Sequence, residues 1–122
     1  EDTIYRTAIA PGGSDIVQNI RIVYISIPRD EADRMALALV QERLAACVNI
    51  VPKITSFYWW EDAVQTDDEA LLIVKTTVQR FQALMDYVLE NHPYELPEII
   101  GLPVSSAYPD YVSWVKTETA KS

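Results

Sequence analysis

Cys47 and His92 are the sole cysteine and the sole histidine among 122 residues, so any soft or borderline metal chemistry in this chain must begin with them. A thiolate at Cys47 would suit copper in its reduced state. Yet the residue lies between Ala46 and Val48 at the start of an apolar strand, where cysteine is ordinarily a small buried hydrophobe. His92 ends a helical pattern just before Pro93, a place from which an imidazole can bond the last carbonyls or interact favourably with the helix dipole. One histidine makes a poor site for a metal that takes several nitrogen or sulfur ligands, but Glu95 and Glu98 lie close enough in sequence to complete a mixed site. Glu61, Asp62, Asp67, Asp68 and Glu69 lack the alternating spacing and central glycine of a calcium loop; they read as solvated charge that keeps a hairpin from aggregating. There is no glycine-rich phosphate loop and no local nucleophile–base signature, so no catalysis is expected.

Composition narrows the partners. A formal net charge of −8 without a basic run opposes nucleic acid and anionic membrane surfaces. About half the residues are apolar, enough for the core of one domain, and no apolar run approaches bilayer length. A single cysteine excludes an internal disulfide framework. The chain begins at Glu1 rather than methionine, which reads as processing or truncation; a cytoplasmic location is expected, with an organelle left open.

The elements that must position these groups are organised around Ala45 to Glu61, a stretch of β-branched and aromatic residues that reads as one long strand. Ala45 through Trp60 would extend about 50 Å at roughly 3.3 Å per residue. A compact domain of this length is only about 35 Å across. Pro52 is therefore expected to bend the strand and its far end to project as an arm. Trp59 and Trp60 point to opposite faces of that arm, and a one-sided surface hides only one of them. Phe57, Tyr58, Trp59 and Trp60 are accordingly expected at an interface between copies of the chain.

Residues 1–19 read as a loose N-terminal arm and 120–122 as a tail. Within 20–119, Ile20 to Ile27 is a strand apolar on both faces; a helix capped by Asp30 then runs from about Glu31 to Leu44 with Ala32, Met35, Ala36, Leu39, Val40 and Leu44 as its stripe. After the long strand, a turn around Glu61 to Asp68 leads to a strand over Glu69 to Thr76. Thr76 or Thr77 caps a second helix, whose stripe is Val78, Phe81, Leu84, Met85, Val88 and Leu89. A short strand over Ile99 to Val104 and a last helix opened by Pro109, with Tyr111, Trp114 and Val115 as contacts, complete the chain. The order strand, helix, strand, strand, helix, strand is the split βαβ arrangement, an α+β sandwich with both main helices on one face of an antiparallel sheet. Strands apolar on both faces leave the other face needing cover from another chain or from the last helix. That and the projecting hairpin argue for a closed homo-oligomer.

Arg43-Leu44-Ala45-Ala46-Cys47-Val48-Asn49-Ile50-Val51-Pro52, then Tyr58-Trp59-Trp60-Glu61, Lys75-Thr76, His92-Pro93-Tyr94-Glu95, Pro97-Glu98-Ile99-Ile100, Leu102-Pro103 and Tyr111-Val112-Ser113-Trp114 together resemble the CutA divalent-cation-tolerance family from about Ile20 to Thr119. The resemblance implies a ferredoxin-like fold in a tight trimer, similar in build to PII-type signalling trimers. It also implies a role in tolerance to copper and other divalent ions, a link in animals to acetylcholinesterase anchoring, and no established reaction. Family members credited with copper binding carry a strand cysteine and a histidine pair where this chain has Ile25, Asn91 and His92, so one ligand of three remains. Many relatives have glycine where Asp62 stands. By the likeness to PII-type trimers, Lys75, Tyr94 and Glu98 are expected to line a cleft between subunits that takes a small anion or metabolite. The two readings are a trimer that binds copper or another divalent cation weakly, and a trimer whose clefts take a small ligand or a protein partner with metal incidental.

Overall fold

The computed structural model describes residues 17–121. Most of the arm expected over 1–19, together with Ser122, lies outside the described residues. The elements are β1 (Ile20–Ile27), α1 (Arg29–Gln41), β2 (Cys47–Trp60), β3 (Ala63–Thr77), α2 (Val78–Asn91), β4 (Ile99–Pro103) and α3 (Pro109–Ala120). One sheet takes the order β2-β3-β1-β4 with each neighbouring pair antiparallel, so the α+β architecture is the one expected.

One face of the sheet is closed by α1 and α2. Val23, Ile25 and Ile27 of β1 and Ala70, Leu72 and Val74 of β3 are buried with Ala32, Met35 and Leu39 of α1 and Leu84 and Val88 of α2. Burying each large aliphatic side chain of this set contributes about 1.5–3 kcal/mol. β4 passes close beneath α2, and a Cβ on Gly101 would stand 3.1 Å from the Phe81 ring. Not every residue of the expected stripes is inside: Val40, Val78 and Leu89 are exposed.

The helix ends differ in detail from the sequence reading. α1 starts at Arg29, behind Pro28 with no side-chain cap; Asp30 and Glu31 sit in its first turn, where they complement the helix dipole. It ends at Gln41, and the N–H groups of Leu44 and Ala45 both donate to the Leu39 carbonyl at 3.0 and 3.1 Å. Arg43 adopts φ 61° in this reversal, and Leu44 is buried beyond the helix rather than on it. Thr77 caps α2, accepting from the Arg80 N–H at 3.3 Å, and Thr76 instead donates to the Leu44 carbonyl at 2.6 Å.

The hairpin is longer and its turn tighter than expected. Trp60 pairs with Ala63, so Glu61 and Asp62 alone make the reversal, both left-handed at φ 51° and 65°. Two consecutive residues of that kind are what a two-residue hairpin loop demands. Residues 63–68, expected in the turn, are paired strand. The register shift between Val51 and Ile54 falls at Pro52-Lys53, where a missing donor interrupts the ladder.

The opposite face of the sheet carries Ile22 and Tyr24 of β1, Leu71, Ile73 and Lys75 of β3, Cys47, Asn49 and Val51 of β2, and Ile100 and Leu102 of β4. α3 covers only one end of it. Val112 and Val115 pack with Ile20 and with Val17, so the last residues of the expected arm are docked rather than loose. Tyr111 and Trp114, expected inside, remain 40% and 43% exposed with their rings 5.5 Å apart; Val112, Val115 and Thr119 take the buried side. Arg43 holds α3 through Glu118 at 2.8 Å, and Arg80 donates to the Thr119 carbonyl at 2.7 Å.

Candidate functional site

Where the hairpin leaves the sheet, a concavity of about 850 Å³ opens between residues 55–60 of β2 and the loop 93–98. Ser26, Glu69, the hairpin residues 55–60, Tyr94, Glu95 and Glu98 line it. β-sheet register explains the split among the four consecutive hairpin residues. Tyr58 and Trp60 share a face with Glu69 and are 39% and 37% exposed, whereas Phe57 and Trp59 stand on the other face at 72% and 74%.

Glu69 is buried to 6% exposure, and Tyr94 Oη donates to its carboxylate at 2.9 Å. Burial first, and that hydrogen bond second, push the Tyr94 phenol far above its ordinary value, so it remains a donor at any physiological pH. Tyr58 donates to Asp67, whose acceptor raises its phenol in the same sense, followed by burial.

His92 anchors the loop from beneath. It is buried at 8% exposure; its Nε2 lies 2.8 Å from the Ser26 carbonyl, and its Nδ1 accepts from the Tyr94 N–H at 3.0 Å. This pattern fixes a neutral ring with the proton on Nε2. The expected bond to the last carbonyls of α2 is made by Arg34 instead, which donates to the Asn91 carbonyl at 3.2 Å.

The expected metal ligands are not brought together. Cys47 is half-buried on the partly open sheet face rather than in the core, 3.9 Å from Lys75 Nζ and 4.0 Å from Asn49 Oδ1. Tyr111 reaches the same sulfur; burial first, and Cys47 second, raise its phenol. Lys75 also donates to Asn49, and its six-residue separation from Glu69 along β3 keeps it at the other end of the sheet from Tyr94. The two residues expected in one cleft are thus apart within a chain.

Residues at the copper positions implied by resemblance do not fit a three-ligand site. Ile25 is fully buried in the core, Asn91 donates to the Tyr87 carbonyl at 2.9 Å, and both His92 nitrogens are engaged. Among the described residues no three histidine, cysteine, aspartate or glutamate side chains converge to hold an ion. In the sequence Glu69 reads as a solvated charge at the start of a strand and nothing singles out Ser26, because their contacts come from segments 25 and 66 residues away.

Comparison with known proteins decides the family. The sequence profile described as "CutA1 divalent ion tolerance protein" matches residues 21–118. The chain belongs to this family. A CutA1 relative from Thermus thermophilus, "Divalent-cation tolerance protein CutA", is 48% identical over 99 residues, covering 80% of this chain and 96% of the relative. "Protein CutA 1, chloroplastic" from Oryza sativa subsp. japonica is 48% identical over 102 residues, covering 83% of this chain; the chain spans 58% of that relative's length. Among solved structures, "PII-like protein CutA" from Nostoc sp. superposes with a TM-score of 0.78 at 34% identity, covering 81% of this chain and 96% of that one. No described helix of this CutA1-family chain is long and apolar enough to cross a membrane.

Proposed function

We propose that the chain works in divalent-cation tolerance as a closed, non-catalytic homotrimer whose task is to take a small ligand or a protein partner, with metal incidental to the fold. The observation that carries this reading is the use of both His92 nitrogens inside the protein while a roomy concavity stands open beside them. Family membership supplies the link to divalent ions, the resemblance to PII-type trimers supplies the number three, and the uncovered sheet face with its exposed hairpin supplies the need for partners. Weak cation binding is the second reading. Glu95 and Glu98 favour it, since both are exposed and, among the described residues, neither is in an ion pair. On either reading the compartment is proposed to be cytoplasmic or organellar.

Calorimetric titration of metal-free protein with copper(II) tests the choice. The expected result is no saturable uptake that depends on His92, with wild type and His92→Gln giving the same heat. Stoichiometric copper uptake abolished by His92→Gln would put direct metal binding first.

A further inference from the structure

Two arginines stand where their own segments do not favour them. Arg80 lies in the first turn of α2, a turn without an acidic residue, at the helix end where the dipole opposes a cation. Arg43 holds φ 61°, a left-handed backbone that glycine adopts freely and a long side chain rarely does. Both guanidinium groups end on the last turn of α3. Arg80 donates from Nε to the Thr119 carbonyl at 2.7 Å and from Nη2 to the Lys121 carbonyl at 3.2 Å. Arg43 donates from Nη1 to the Glu118 carbonyl at 3.3 Å and to its carboxylate at 2.8 Å. The last carbonyls of a helix have no donor within it, and the negative end of its dipole attracts both charges.

Elsewhere α3 is lightly fastened. Val112, Val115 and Thr119 are its buried residues, and the apolar cluster it forms with Val17 and Ile20 is separate from the main core that α1 and α2 close. A helix of 12 residues is marginal in water without its packing, so undocking and unwinding are one event for it. These fastenings lie within one chain and do not depend on what covers the rest of the sheet face.

We propose that α3 is a strap that opens as a unit of its own, clasped at its C-terminal end by Arg80 and Arg43, and that its closure is transmitted to the root of the hairpin strand β2. The second half follows from the place of Arg43 in the reversal between α1 and β2. The residue that grips Glu118 also shapes the backbone leading to Ala46, which packs against the α3 cluster and donates to the Lys75 carbonyl at 2.9 Å. Opening the strap frees the left-handed residue and loosens the start of β2, while the core under α1 and α2 stays closed.

The test is amide hydrogen exchange of the full chain, with the mass of the same samples followed by light scattering. In the wild type, amides 113–120 are expected to exchange at least tenfold faster than those of Leu39 and Leu84. Arg43→Gly and Arg80→Gln are each expected to speed α3 and Ala46 at least fivefold further, at unchanged mass and with Leu39 and Leu84 unmoved. Arg43→Gly is the sharper arm, because a residue serving only the turn would be improved by glycine at φ 61° and would leave α3 as protected as before. Exchange of α3 in step with α1 and α2, α3 or Ala46 unmoved in either variant, or faster exchange seen only with a lower mass overturns the proposal. Should a variant fail to fold, the wild-type comparison still decides whether α3 opens on its own.

Discussion

The two faces of the sheet obey the same alternation of side chains yet end in opposite conditions. On the helix face, Val23, Ile25, Leu72 and Val74 are completely buried by α1 and α2, so a single chain completes that core. On the other face, α3 reaches only the end near Ile20, while Tyr24, Leu71, Ile73 and Leu102 stay half-buried and Ile100 is exposed. The hairpin continues that condition outward, with Phe57, Trp59 and Val64 among the most exposed large apolar residues described. One face is a folding core completed within the chain, and the other is left partly open by it. Their apolar character looks alike in sequence, and only the placement of the helices tells them apart.

Paired substitutions break that comparison most sharply. Trp59→Ala removes a side chain that one chain leaves 74% exposed, so a monomer would hardly notice. If copies cover the hairpin, it instead costs about 3–5 kcal/mol, as for a core aromatic, and makes the melting temperature depend on protein concentration. Leu72→Ala, on the closed face, is expected to cost about 2–5 kcal/mol in denaturant unfolding and to do so at any concentration.

The junction between the faces is the next place to probe. His92→Ala leaves the Ser26 carbonyl and the Tyr94 N–H without their partner, an expected loss of about 1–3 kcal/mol by thermal denaturation. It should also loosen the 93–98 loop, visible as faster amide exchange at Tyr94. An unchanged melting temperature and unchanged exchange would show that the ring is not structural.

Smaller effects belong to the hairpin tip and the α3 clamp. Asp62→Gly relieves a left-handed residue at φ 65° and is expected to raise stability by up to about 1 kcal/mol. Glu118 is held below the usual carboxylate range by Lys121 first and Arg43 second. Because its folded pKa is depressed, the contribution is present above the unfolded value and fades as pH falls through the folded one. The melting temperature should therefore fall less between about pH 5 and pH 3 in Glu118→Gln than in wild type. The effect is minor, since both ion pairs remain open to solvent on the cation's side.

Much of the closed face was legible, because Val23-Ile25-Ile27 and Leu72-Val74 repeat at two and Ala32-Met35-Ala36-Leu39 at three and four. Cys47 was not. With apolar residues on both registers of β2, alternation cannot say which goes inward, and the register gives Val48 to the core and Cys47 to the other face. The charged run Glu61 to Asp68 reads as a loop, yet most of it is strand. Lying on an arm with solvent on either side, it has no buried face to impose a pattern. The concavity was hidden for a different reason: Ser26, Glu69 and the 92–98 loop meet only through tertiary folding, and local sequence holds no trace of such a meeting.

Native mass spectrometry of metal-free protein at micromolar concentration tests most directly whether the less covered face is half of an interface. A single species of three chains is the predicted result. A folded monomer with a compact charge-state distribution would contradict it, and would mean that this face and the hairpin aromatics are simply tolerated in water.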